Sequence, residues 1–157
     1  MSDAESQVAR DLEAHEDAPG IRAAEAMRQR TRQFALRVLH VSEALPRKRT
    51  ADVMGRQLLR AGTGVGANYR AACRAKSRAD FVAKMGIVEE EADETAYWME
   101  LIAEAKLLPP KRLEPLITEA NEIVAIIVAS INTARGGKRR PRQSIRNPQS
   151  AIRNKHG

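Results

Sequence analysis

Apolar residues recur along the chain at alternating steps of three and four, in four stretches separated by prolines and polar breaks. The first stretch, about Ile21 to Leu45, puts Met27, Thr31, Phe34, Val38, Val41 and Leu45 on one stripe. Pro46 ends it, because proline disfavours helix in the residue before it. The second carries Met54, Leu58, Ala61, Val65, Asn68 or Tyr69, and Ala72, with Thr50 as its expected N-cap and Asp52 favoured in the first turn by the helix dipole. Ser77 and Asp80 form a variant capping box for the third, whose stripe of Phe81, Met85, Val88, Ala92, Thr95, Met99 and Ile102 reaches about Leu107. After Pro109-Pro110 the fourth runs through Leu113, Ile117, Ala120, Val124, Ile127 and Ile131. Spacings of about 3.5 residues sustained in this way are the signature of packed helices. Connections of a few residues make neighbours antiparallel, so the expected fold is all-α, an up-down-up-down antiparallel four-helix bundle.

Pro19-Gly20 opens this unit and Gly136-Gly137 closes it, which places the bundle at residues 21–135. Residues 1–20 read as a disordered acidic tail and 136–157 as a disordered basic tail. The basic tail contains a near-repeat of period seven, Ser144-Ile145-Arg146-Asn147 against Ser150-Ala151-Ile152-Arg153-Asn154, with no core-forming pattern.

Two helices depart from a plain monomeric bundle. The second contains Gly62, Gly64 and Gly66, each less favourable than alanine in a helix interior by about 1 kcal/mol. Such a run weakens or kinks the helix, or lets another helix approach closely. The fourth is apolar beyond its stripe, at Ile123, Ile126, Val128 and Ala129, and a helix apolar most of the way round is buried on several sides. Gly62, Gly66, Ile123, Ile126 and Ile127 are therefore the expected oligomer interface.

Composition narrows the class. Aromatics are 3% of the chain, so the core is aliphatic, and abundant Ala, Leu, Glu, Arg and Lys favour helix. One cysteine, Cys73, permits no intrachain disulfide, and neither a signal peptide nor a run of about 20 apolar residues stands out. A cytoplasmic location without membrane contact is expected.

Charge is segregated. Residues 1–20 are net −5, 22–84 hold 15 Lys/Arg against four acids, 85–122 are net −7, and 136–157 carry seven Lys/Arg and no acid. The basic zone is the strongest candidate for chemistry, because an arginine-rich surface suits bidentate phosphate contacts. The candidate nucleic-acid-binding residues are Arg28, Arg32, Arg47, Lys48, Arg49, Arg56, Arg60, Arg70, Arg74, Lys76, Arg78, Lys138, Arg139 and Arg140. Scarce aromatics argue against base stacking.

Other constellations are weaker. Glu91 and Glu94 have metal-bundle spacing, but no histidine lies between His40 and His156, so the run Glu89–Glu94 reads as an ion-paired face toward the second helix. Cys73 beside Arg74 and Lys76 has the setting of a reactive thiol, yet a small packed residue is the preferred reading. No nucleophile and base come together, the glycines lack a phosphate-loop lysine, and no catalytic residue, metal or cofactor is expected.

The segment Gln57-Leu58-Leu59-Arg60-Ala61-Gly62-Thr63-Gly64-Val65-Gly66-Ala67-Asn68-Tyr69-Arg70, then Cys73 to Phe81 and Gly86 to Leu101, resembles a bacterial four-helix bundle family. That family was first noticed as reading frames in intervening sequences of large-subunit ribosomal RNA. The resemblance covers roughly residues 25–134. It implies a homopentamer with a central channel and no known catalytic activity. A related branch, the accessory variability proteins of diversity-generating retroelements, implies RNA and DNA binding and a reverse transcriptase partner. Ala71 departs from the pattern, where glutamate is usual. The resulting expectation is a non-enzymatic oligomeric bundle that binds RNA or DNA through phosphate contacts, with an assembly scaffold whose basic residues pair with the third helix as the rival.

Overall fold

The computed structural model describes residues 4–7 and 19–136. Four long helices carry the fold: α1 (Pro19–Glu43), α2 (Arg49–Ala72), α3 (Arg78–Glu104) and α4 (Pro110–Ala134). Residues 4–7 are helical as well, where disorder was expected. The other tail residues, Lys138, Arg139 and Arg140 among them, lie outside the described residues.

Consecutive helices pack on one another, and α4 closes the ring onto α1 along the thinnest of the four seams. The expected stripes meet in one aliphatic core: Phe34 and Val38 from α1, Leu58 and Val65 from α2, Met85, Val88, Met99 and Ile102 from α3, and Leu113, Leu116, Ile123 and Ile127 from α4. Among the described residues Thr31 and Thr95 are the buried polar ones, and each returns its hydroxyl to a carbonyl one turn back, Met27 and Glu91 respectively.

Several boundaries move. Arg49, not a residue after Thr50, begins α2, and its N-cap Lys48 makes no side-chain cap bond. In α3 the Ser77 hydroxyl does accept the Asp80 amide at 3.1 Å, while the Asp80 carboxylate accepts the Lys76 amide rather than that of Ser77. Tyr69, not Asn68, is the buried alternative in α2. The row of α4 is shifted by one residue in two places, with Leu116 and Ile123 buried in place of Ile117 and Val124. Both helix ends near glycine or lysine follow one pattern. Gly136, with φ 79°, caps α4 in the left-handed region, and Lys106, with φ 56°, does so for α3. The Leu107 amide reaches Ile102 O at 3.1 Å and the Lys106 amide reaches Ala103 O at 3.0 Å, the paired bonds of a Schellman turn.

The glycines of α2 do not break it. A Cβ on Gly62 would fall 2.6 Å from Val38 Cγ1, and one on Gly66 would touch the Thr31 backbone at 3.5 Å. Here the missing side chains let α1 sit close against α2. A Cβ on Gly64 would lie 3.0 Å from the Glu91 carboxyl carbon, so this position makes room for α3. The expectation of Gly62, Gly66, Ile123 and Ile127 as an oligomer surface is corrected accordingly: the two isoleucines are fully buried and the two glycines serve contacts within the chain. Of the five, Ile126 is the one that faces out, at 37% exposure. Among the described helices α4 is long and apolar enough to cross a membrane, yet its Leu113–Ile131 row lies in the bundle core.

Candidate nucleic-acid interface

Helix period decides where the arginines of α2 go. Leu58, Ala61, Val65 and Tyr69 take the inward side, so Arg49, Arg56, Arg60 and Arg70 occupy the opposite, solvent stripe, and all are exposed. Arg74, Lys76 and Arg78 continue the exposed run through the turn into α3, and Arg47 and Lys48 flank its other end. On α1, Arg28 and Arg32 stand one turn apart on the side toward α2. They form one wall of a groove of about 660 Å³ whose other wall bears Thr63 and Arg70, over a floor of Ala35, Gly66 and Ala67. A second cleft, of about 700 Å³, lies at the α1–α2 turn and gathers Arg47, Lys48, Arg49 and Arg56 around Leu39 and Leu59. The third, of about 730 Å³, sits at the opposite end of the bundle, bounded by Arg28, Arg78, Tyr69 and Cys73. Burial pushes the Tyr69 hydroxyl up to about 12. Cys73 is exposed, contrary to the packed role expected for it.

Not every cation of the set is free. Arg60 bonds Glu94 and lies 3.6 Å from Glu91 across the α2–α3 seam. The hydrogen bonds from Arg60 and from the Trp98 indole, the latter 3.1 Å long, hold the Glu94 carboxyl below its ordinary value. Desolvation raises that of Glu91, whose Oε2 is buried with no hydrogen-bond partner. Arg56 pairs with Asp52 within α2 and Arg28 with Glu25 within α1, both exposed, where such pairs contribute little. Arg32, Arg47, Lys48, Arg49, Arg70, Arg74, Lys76 and Arg78 have no ion pair among the described residues.

One arginine of the basic zone plays another part. Arg30 reaches from α1 to α4, with Nε 2.6 Å and Nη2 2.9 Å from the two Glu119 oxygens and Nη2 2.6 Å from Glu122. This fork across the thin seam raises the Arg30 guanidinium and lowers the Glu119 carboxyl, each chiefly through their shared hydrogen bonds. The partners are far apart in sequence, so no local spacing pointed to them. Gln29 and Thr63, which also line the groove, were absent from the expected set, though Gln29 adjoins Arg28 and a turn separates Thr63 from Arg60 and Ala67.

Charge is thus two-faced. The α1–α2 side presents cations, while α3 presents exposed Glu90, Asp93 and Glu100. None of the five aromatics lines the α1–α2 groove: Phe34 is buried, Tyr69 and the half-buried Phe81 border the third cleft with Arg28 and Arg78, and on α3 the half-buried Trp98 stands edge-on to the exposed Tyr97. Among the described residues no group of His, Cys, Asp or Glu could hold a metal ion.

The sequence model described as "23S rRNA-intervening sequence protein" matches residues 25–129. A crystal structure of a protein with unknown function from the S23 ribosomal protein family of Bacteroides thetaiotaomicron VPI-5482 is similar, at 35% sequence identity and a TM-score of 0.63. The match covers 66% of this chain and 96% of that one. No curated protein matches the sequence.

Proposed function

The chain belongs to the 23S rRNA-intervening sequence protein family, and from that premise we propose that it is a non-enzymatic, oligomeric, cytoplasmic bundle that binds RNA or DNA through phosphate contacts. The contacts come from the α1–α2 face and from the basic segment after α4. The observation that carries this reading is the set of eight exposed cations without an ion pair among the described residues, set beside acids of α3 and α4 that already hold Arg60 and Arg30. If the basic zone existed only to neutralise α3, more of it would be consumed there. Unpaired arginines at this density attract a polyanion whose condensed counterions are released on binding, so log affinity falls linearly with log salt.

Fluorescence anisotropy with a labelled RNA, at low and then moderate salt, tests the reading. Arg70→Glu with Arg74→Glu should abolish most of the binding and leave the melting temperature in place. Binding without a salt slope, or none at low salt, overturns the proposal. The scaffold reading draws on exposed Leu36, Val53, Ile87 and Ile126, each between 37% and 46% accessible and placed on different helices. A stable oligomer that ignores nucleic acid would favour it.

A further inference from the structure

We infer that the polyanion taken by this face is a duplex, laid along α2 and gripped at two places about one helical turn apart. The inference rests on the nucleic-acid reading above. Subtracting the paired arginines changes the shape of the basic surface. On the α2 side, what remains without an ion pair among the described residues is two clusters: Arg47, Lys48 and Arg49 at one end of α2, and Arg70, Arg74, Lys76 and Arg78 at the other, with Arg32 beside the second across the groove, while Arg37 of α1 lies toward Glu119 of α4. The stretch between them is neutralised or apolar, with Arg56 on Asp52, Arg60 on Glu94, and Leu36, Leu39 and Val53 exposed.

Within α2, Arg49 to Arg70 is 21 residues, roughly 32 Å at a rise of about 1.5 Å per residue, and Arg74 lies just beyond the end of the helix at Ala72. A duplex lying against a flat face brings the same backbone back to it once per turn, roughly 34 to 36 Å in B-form DNA. The match needs a rod that holds its length, and α2 runs unbroken from Arg49 to Ala72 because its glycines are filled by α1 and α3. A single strand gains less from this surface. Its backbone would have to be ordered, its charge density is lower, and no aromatic on the face offers a base somewhere to stack. The acids exposed on α3 confine the ligand to the α1–α2 side.

The experiment is anisotropy at low salt with labelled duplexes of about 6, 12 and 18 base pairs, in DNA and in RNA, beside single strands of the same lengths. A short duplex reaches one cluster, whereas one full turn engages both, and the second contact then becomes intramolecular. The expected result is a gain of roughly tenfold or more between the first two duplexes, a smaller gain to the third, and no such step for single strands. The triple variant Arg47→Ala, Lys48→Ala, Arg49→Ala should bring the one-turn duplex down to the affinity of the short one, with circular dichroism unchanged. Single strands binding as tightly as duplexes, or affinity rising smoothly with length, would overturn the inference and leave the nucleic-acid reading standing. No binding by any probe would overturn both.

Discussion

Replacing Gly62 by alanine sets two effects of opposite sign against each other. Helix propensity alone favours alanine by about 1 kcal/mol in an exposed helix interior. Gly62, however, is buried where α1 crosses α2, and the added Cβ would meet Val38 Cγ1 at 2.6 Å, Cγ2 at 2.8 Å and Cβ at 3.0 Å. Valine has two methyls for three staggered positions, and both here face the glycine. Any rotation therefore leaves at least one in the way, and the Cβ contact is beyond relief by rotation at all. The two backbones must separate, and overpacking of this kind typically costs about 1–3 kcal/mol. The net expectation for Gly62→Ala is a loss of up to roughly 2 kcal/mol, or a melting temperature lower by up to about 8 °C for a domain of this size. Gly86→Ala is the control: a Cβ there meets nothing within 4 Å, so only the propensity gain of up to about 1 kcal/mol remains and the melting temperature should rise. Thermal unfolding followed by circular dichroism reads both. Val38→Ala combined with Gly62→Ala should be less damaging than the sum of the two by about 1 kcal/mol or more, since the neighbours share one space. A Gly62→Ala protein melting at or above the parent would refute the close-packing account.

Three further outcomes follow from the same geometry. Arg30→Met removes the fork to Glu119 and Glu122 and should lower stability by about 1–2 kcal/mol at neutral pH, measured by urea unfolding. Because Glu119 is held below its unfolded value, its contribution is present above that unfolded value and is lost as pH falls through the lower folded one. The parent should therefore lose stability in acid more steeply than Arg30→Met, and parallel acid profiles would refute this. Lys106→Gly should raise stability by up to about 1 kcal/mol in a thermal melt, because the left-handed C′ position of a Schellman turn favours glycine. Arg60→Glu, unlike reversal at Arg70 or Arg74, should lower the melting temperature as well as nucleic-acid affinity, since it faces Glu91 and Glu94.

Most of the bundle was legible because its inward stripes are interrupted by polar residues on both sides. Leu58, Ala61 and Val65 in α2 stand opposite Arg56, Arg60 and Arg70, which leaves that stripe one phase. In α4 the phase was ambiguous, since Leu116 adjoins Ile117 and Ile123 adjoins Val124, and periodicity cannot choose between apolar neighbours. That ambiguity also inflated the case for self-association, which counted Ile123 as a surplus outward residue when it is a core residue. The glycine run was visible as an anomaly, but whether it kinks α2 or admits a neighbour depends on Val38 and Thr31, placed there by tertiary packing. The basic face was readable as a charge zone. Its division into paired and free arginines was not, because Arg60 meets Glu94 and Arg30 meets Glu119 only once the helices are side by side.

The thin α1–α4 seam makes the four helices unequal in how readily they come loose. α1 is tied to α2 through close backbone approach but to α4 along the thinnest seam, which the fork of Arg30 bridges, so the cheapest partial opening of the fold swings α1 outward with the other three helices intact. Amide protons of α1 would then exchange with solvent ahead of those in α3, which is flanked by the two broadest seams. While open, the three-helix remainder presents a vacant slot shaped for Phe34 and Val38, and α1 from a second copy is the one segment guaranteed to fit it. Exchange of α1 between chains is the misassembly this architecture invites, and salt or acid that weakens the Arg30 fork would hasten it.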